Sequence, residues 1–226
     1  MRERVVPGDD VAASRWAAGR IADLLMGAVA ERGRASLALS GGRSPWAMME
    51  VLFARDLPWP AVDILQVDER VAPDGDEQRN WTRIAALLAA SSACAARVHP
   101  MRVGGGAEAA VRDYLDVLAA LPGPIDVVQL GLGEDGHTAS LAPGDPVLDV
   151  ADAPVAATAH PFNGTRRVTL TYPAIDGARH VLWLVTGAAK AAMVSRVESD
   201  DRSIPAGRVT APSQVLVLDR AAAGTG

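Results

Sequence analysis

His137 and Asp135 stand two residues apart in Gly131-Leu132-Gly133-Glu134-Asp135-Gly136-His137-Thr138, directly after the apolar run Ile125–Leu130. Imidazole is the side chain whose protonation changes near neutral pH, so a histidine held in an exposed loop is suited to general base work. A carboxylate beside it can orient the ring or support its protonated form. The glycines let the chain turn sharply where a buried segment ends. Taken alone, the same residues also fit a calcium-like acidic loop or a structural turn.

Four further segments carry groups suited to an anion. Ser40-Gly41-Gly42-Arg43-Ser44-Pro45 joins an apolar run to a helix start. There the glycines allow close approach, and free backbone N–H groups favour negative charge. The residues equally make an ordinary tight turn capped by Ser44. They have neither the Gly-Lys-Ser/Thr ending of a P-loop nor a dinucleotide fingerprint. Asp68-Glu69-Arg70 ends another apolar run. A guanidinium placed there can hold a phosphate bidentately while an acid positions it, or the three residues form a strand-end ion-pair cluster. Arg167, in Arg166-Arg167-Val168-Thr169-Leu170-Thr171, and Lys190, in Thr186-Gly187-Ala188-Ala189-Lys190, add cations beside other strand ends, unless they are plain surface charges. His99 and His180 read as structural, and the four histidines do not fall in metal-ligand spacing. Ser40, Ser44 and Ser140 lack the Gly-x-Ser-x-Gly elbow of a serine hydrolase.

Composition narrows the classes. The chain has 226 residues, 49% of them hydrophobic, enough for a sizeable core. Formal net charge is −5, no basic stripe occurs and aromatic content is 4%, which argues against a nucleic-acid surface. No apolar run reaches the roughly 18 residues of a membrane span, and the first residues lack a signal-peptide core. Cys94 is the single cysteine, so it forms neither an internal disulfide nor a zinc site by itself. A cytoplasmic protein without membrane contact is the expectation, its oligomeric state left open between monomer and small homo-oligomer. An acidic protein that binds an anion must concentrate positive potential locally, so each of these cations carries weight.

The elements that must position these groups alternate. Helical periodicity covers Val11–Arg32, Trp46–Ala54, Trp81–Ala89, Ala107–Ala120 and Ala188–Val197. Apolar strands are predicted at Ala35–Leu39, Val62–Val67, Ile125–Leu130, Val155–Thr158, Arg167–Thr171, Val181–Val185 and Val215–Leu218. The five tryptophans read as core or rim packing. The pattern predicts one α/β domain over residues 1–226, three layers α/β/α around a mostly parallel, Rossmann-like sheet. Ligands of such folds collect beyond the carboxyl ends of the strands, where Ser40-Gly41-Gly42, Asp68-Glu69-Arg70, Gly133–His137 and Thr186-Gly187 with Lys190 are expected to fall.

In this order the segments Leu39-Ser40-Gly41-Gly42-Arg43-Ser44-Pro45, Asp68-Glu69-Arg70 with Asn80, Leu130–Leu141, Arg167–Thr171 and Gly187-Ala188-Ala189-Lys190 resemble the 6-phosphogluconolactonase family. The likeness runs across nearly the whole chain. It implies a fold shared with glucosamine-6-phosphate deaminases and hydrolysis of 6-phosphoglucono-δ-lactone to 6-phosphogluconate, a pentose phosphate pathway step, without metal or organic cofactor. It implies a His137 base with Asp135 beside it. The substrate and its phosphate would be held by Ser40, Gly41, Gly42, Arg43, Arg70, Gly133, Arg167 and Lys190. A similar Asp-Gly-His loop occurs in the deaminases, so Arg70 and Thr138-Ala139-Ser140-Leu141 carry the distinction. An amino-sugar-phosphate deaminase or a non-catalytic sugar-phosphate-binding module are the alternatives. Ala142, Arg79 and Arg43 depart from the family pattern.

Overall fold

A computed structural model describes residues 2–225. Its main sheet contains β1 (Glu3–Gly8), β2 (Ala35–Leu39), β3 (Val62–Gln66), β5 (Arg97–His99), β6 (Val127–Leu130), β9 (His180–Val185) and β10 (Gln214–Asp219). These seven strands lie in the order β1-β10-β9-β6-β2-β3-β5, and every pairing is parallel. From β2 the chain moves outward through β3 to β5, then returns to place β6 on the other side of β2. The direction of winding therefore reverses between β2 and β6. Loops leaving the carboxyl ends of two such strands diverge to opposite faces and open a crevice.

The helices are α1 (Asp10–Arg32), α2 (Arg43–Phe53), α3 (Asn80–Ala89), α4 (Ala107–Ala119), α5 (Tyr172–Asp176) and α6 (Ala191–Glu198). Strand side chains alternate between faces, and they feed two separate cores. Leu37, Leu39, Ile64, Val127, Leu182 and Leu184 join Ile21, Leu25, Met48, Leu52 and Ile84 of α1, α2 and α3. Ala38, Val128, Leu130, Trp183 and Leu216 face the other way, toward Tyr114 of α4, Ile175 of α5 and Val194 of α6. Both faces of the sheet are thus covered, which is why its strands read as continuous apolar runs.

Several boundaries differ from the sequence expectation. Strand β1 was not expected; its Pro7 is tolerated because β1 is an edge strand. Helix α2 begins at Arg43, three residues before the expected start, because Gly42 at φ 126° makes the turn that opens it. The run Val62–Val67 ends as β3 at Gln66, and Asp68–Arg70 is a strand of its own, β4. Together with β7 (Val155–Ala157) and β8 (Arg167–Leu170), β4 forms a separate antiparallel sheet in the order β4-β8-β7. The expected strands at Val155 and Arg167 therefore do not belong to the parallel sheet. Their buried residues Val155, Val168 and Leu170 cap the second core instead. Residues Ala188–Lys190 form a 3-10 turn ahead of α6, not its first α-helical turn. Trp59 and Trp183 are fully buried, while Trp16, Trp46 and Trp81 pack partly buried against the core.

At the opposite, amino end of the sheet, the buried Asp63 carboxylate accepts from Arg34 at 2.8 Å, from Arg97 at 3.1 Å and pairs with His99 Nε2 at 2.9 Å. Burial pushes this carboxyl up, but the hydrogen bonds from His99, Arg97 and Arg34 more than offset that and hold it below the ordinary carboxylate range. A carboxyl whose folded pKa is depressed contributes stability that is present above its unfolded value and lost as pH falls through the folded one. The Asp63→Ala variant should lose about 1–3 kcal/mol of unfolding free energy at pH 7, toward the lower figure because both arginines stay water-accessible. Urea titrations at pH 7 and about pH 3 should show the difference between variant and wild type shrinking as the medium is acidified.

Candidate active site

The crevice between β2 and β6 is a cleft of ≈ 280 Å³, at the small end of sizes typical for metabolite sites. Its floor begins with the loop after β2. Ser40 is fixed there, its hydroxyl donating to the Gln129 carbonyl at 2.8 Å and its N–H to Gln129 Oε1 at 3.2 Å. Gly41 follows with no room for a side chain: a Cβ would lie 1.9 Å from Asn80 Oδ1. Gly42 precedes the first turn of α2, whose free N–H groups and dipole turn a partial positive charge toward the cleft. Ser44 does not cap this helix; its hydroxyl pairs with that of Thr186, beyond β9, at 2.6 Å.

The loop after β6 carries the titratable pair. His137 Nδ1 and Asp135 Oδ1 are 2.5 Å apart, and the His137 N–H donates to the same oxygen at 3.1 Å. The loop closes on itself through the Gly133 N–H, which donates to the His137 carbonyl at 2.8 Å. A Cβ on Gly133 would meet His137 Nδ1 at 1.9 Å and Asp135 Oδ1 at 2.6 Å. Glycine at this position is therefore what lets the imidazole and carboxylate meet. Burial pushes the Asp135 carboxyl up, yet hydrogen bonds from the His137 backbone and ring hold it below its ordinary value, so it is an anion at neutral pH. An anionic acceptor beside Nδ1 accepts a hydrogen bond from Nδ1–H, which keeps the proton on that nitrogen and leaves the lone pair on Nε2. Beyond the histidine, Thr138 Oγ1 donates to the Gly131 carbonyl at 2.9 Å, and Ala139 has a left-handed φ of 52°.

The cations converge from three elements. Arg70 ends β4, Arg167 begins β8 beside it in register, and Lys190 ends the turn before α6. Arg167 is buried. That burial lowers its pKa; Asp68, 3.7 Å away, acts to raise it and the neighbouring Arg70 to lower it. Two guanidinium groups close enough to repel, both with a buried Nε lacking a hydrogen-bond partner among the described residues, leave a local excess of positive charge. Lys190 Nζ reaches the exposed Glu134 at 3.5 Å, a weak tie.

Ser40, Gly41, Gly42, Arg43, Arg70, Gly133, His137, Arg167 and Lys190 all line this one cleft, and Arg43 stands exposed at its mouth. Asp135 lies outside the lining and reaches the cleft through the imidazole. Asp68, Asn80, Thr186, Phe162 and Asn163 also line it. Of these, Phe162 and Asn163 gave no sequence signal: they lie in a polar stretch outside every apolar run. Glu69 and Arg79 are buried behind the wall, where Glu69 accepts from the N–H groups of Asn80 at 2.7 Å and Trp81 at 2.8 Å. His180 begins β9 at the amino end of the sheet, and His99 lies on the edge strand β5 with its ring paired to Asp63, so neither lines the cleft. Ala142 is buried.

Residues 8–218 match the sequence pattern of the glucosamine-6-phosphate isomerases/6-phosphogluconolactonase family. A protein of Mycobacterium tuberculosis named 6-phosphogluconolactonase is 37% identical over 238 residues, covering 97% of this chain and 96% of that one. One from Synechocystis with the same name is 33% identical over 203 residues, covering 84% of each. Among solved structures, a 6-phosphogluconolactonase from Shewanella baltica superimposes with a TM-score of 0.89 at 28% identity, covering 97% of both chains. That of Trypanosoma brucei gives 0.88 at 25%, covering 99% of this chain and 98% of its own. The fold and the cleft are those of an α/β sugar-phosphate enzyme class. The chain belongs to the glucosamine-6-phosphate isomerase/6-phosphogluconolactonase family.

The Gly133 packing has a direct test. In Gly133→Ala the new methyl occupies the space of the imidazole, so a crystal structure should show His137 Nδ1 moved beyond about 3.5 Å from Asp135, outside hydrogen-bond range, with the sheet unchanged.

Proposed function

We propose that this chain hydrolyses 6-phospho-D-glucono-1,5-lactone to 6-phospho-D-gluconate. The observation that carries the reading is an imidazole oriented by a carboxylate in the same cleft as Arg70, Arg167 and Lys190. The names of its relatives support a lactonase over an amino-sugar-phosphate isomerase, since the proteins cited above share that name across bacteria and a trypanosome. The reading is of one catalytic domain spanning the chain, working in the cytoplasm.

In the proposed reaction the phosphate sits against the Gly41 and Gly42 amides, Arg43, Arg70 and Lys190, with Arg167 assisting, while Ser40, bonded to Gln129, shapes the loop. His137 Nε2 takes a proton from water as its oxygen bonds to the lactone carbonyl carbon. The carbonyl electrons move onto oxygen, where backbone N–H groups of the glycine loop that have no acceptor within it are candidates to hold the negative charge, the Gly133 N–H being engaged by the His137 carbonyl; one such donor is typically worth about 3 kcal/mol. When the carbonyl re-forms, the ring C–O bond breaks and the His137 proton goes to the departing ring oxygen. Asp135 keeps the imidazole in the tautomer the first step needs. These steps call only on water and the side chains named.

Loss of the base should fall on turnover. His137→Ala is expected to lower kcat by roughly 10²–10⁴-fold with the thermal melting curve unchanged, after subtraction of spontaneous lactone hydrolysis. Near-normal turnover in that variant would remove His137 from the mechanism.

Arg70 should behave differently, because the phosphate is remote from the breaking bond. Arg70→Ala is expected to raise KM by about 10- to 150-fold, the worth of a hydrogen bond to a charged group, with a smaller change in kcat. The same variant should discriminate less between the phosphorylated lactone and plain glucono-δ-lactone. An equal proportional loss of kcat/KM on both lactones would show that Arg70 does not read the phosphate.

A further inference from the structure

One wall of the cleft is built by residues with no acid–base chemistry of their own. The chain approaches β8 through Phe162-Asn163-Gly164-Thr165, where the Phe162 N–H donates to the Thr165 carbonyl at 2.9 Å across an isolated antiparallel bridge. Asn163 has φ 52° and Gly164 φ 85°. Positive φ at both central residues is the signature of a two-residue type I′ turn, and Asn-Gly is the pair that adopts it at least cost. The tip is therefore a preset hairpin that holds Phe162 and Asn163 in the cleft lining.

Phe162 touches both halves of the site. Its ring meets the His137 imidazole edge to face, with centroids 4.8 Å apart and planes at 72°. The Arg167 guanidinium lies over the same ring, 5.2 Å from its centre, and Arg167 Nη2 donates to the Phe162 carbonyl at 2.9 Å. A hydrogen bond from Nδ1 to Asp135 fixes one point of the imidazole plane, and a contact against the ring fixes its tilt. Resting on the reading of His137 as general base, we propose that Phe162 is a positioning residue: its ring sets the tilt of the imidazole, while its backbone carbonyl sets Arg167.

The two roles separate by substitution. Phe162→Leu keeps an apolar side chain and the carbonyl but removes the ring. In the full-length protein acting on the phosphorylated lactone, it should lower kcat by about 10- to 100-fold, the cost of a loosened catalytic group. KM should stay within about threefold, because the carbonyl that holds Arg167 remains. Phe162→Tyr restores the ring and should recover kcat to within about threefold of wild type. Wild-type kcat in Phe162→Leu, or no recovery in Phe162→Tyr, would overturn the proposal. A second measurement does not depend on turnover. The chain has four histidines, so the ring-proton NMR signals of His137 can be assigned with a His137→Gln variant. Loss of the aromatic ring in Phe162→Leu should shift the His137 signals and leave those of His99 and His180 in place. Unmoved His137 signals would defeat the positioning role, whereas a shifted signal in a protein that turns over no lactone would defeat only the assigned reaction.

Discussion

The site depends on two adjacent buried carboxylates, Glu69 behind its wall and Asp68 in its lining. Glu69 is fully buried, and its oxygens accept from the N–H groups of Arg70 at 2.8 Å, Asn80 at 2.7 Å and Trp81 at 2.8 Å, and from Gln66 Nε2 at 2.9 Å. An uncompensated buried carboxylate would cost several kcal/mol, so the chain around Glu69 has little freedom to rearrange. That one acid caps the start of α3 and fixes the segment that delivers Arg70 and Asn80. Asp68, its neighbour, accepts from Ser140 at 2.5 Å and from Asn80 Nδ2 at 3.1 Å, and lies near Arg167. Through Ser140 it also ties the histidine loop to the small antiparallel sheet. Arginine and imidazole reach the same cleft because their loops are anchored to the same pair of acids.

This arrangement explains which parts of the molecule were legible in sequence. The parallel sheet was, because strands covered on both faces are largely apolar, as Val181–Val185 is throughout and Ala35–Leu39 is but for Ser36. The convergence of the glycine loops was also legible, since strands of a parallel sheet end at one edge. The separate strand Asp68–Arg70 was not. Its register with Arg167–Thr169 comes from pairing across about a hundred intervening residues, and no local periodicity records such a partner. Phe162 escaped notice for a similar reason: its meaning lies in the ring it touches, and that ring is distant in the chain. Glycine was read as freedom of the backbone, whereas Gly41 and Gly133 are required by the side chains of Asn80 and His137 that occupy the space of a Cβ.

Charge is distributed against the overall composition. The chain carries net −5, yet the cleft brings Arg70, Arg167, Lys190, Arg43 and a helix N-terminus together. The acids close to them are spent internally, Asp68 and Glu69 on hydrogen bonds within the wall and Asp135 on the imidazole. A diffusing anion is therefore opposed by the net charge of the chain and drawn to this cleft, the focusing that raises the rate of encounter.

The edge strand β1 has a different consequence, one of timing. It pairs only with β10, and Arg2 reinforces the junction by donating to Gln214 Oε1 at 2.9 Å, 212 positions along the chain. Contacts of such sequence separation must meet the entropy of closing a very long loop before they gain anything. During synthesis the first strand of the main sheet to be made is consequently the last to find its neighbour. Until β10 emerges, β1 has no partner and the outer side of β9 is bare, so the nascent protein carries unpaired strand edges, which favour aggregation, after its catalytic loops have been made.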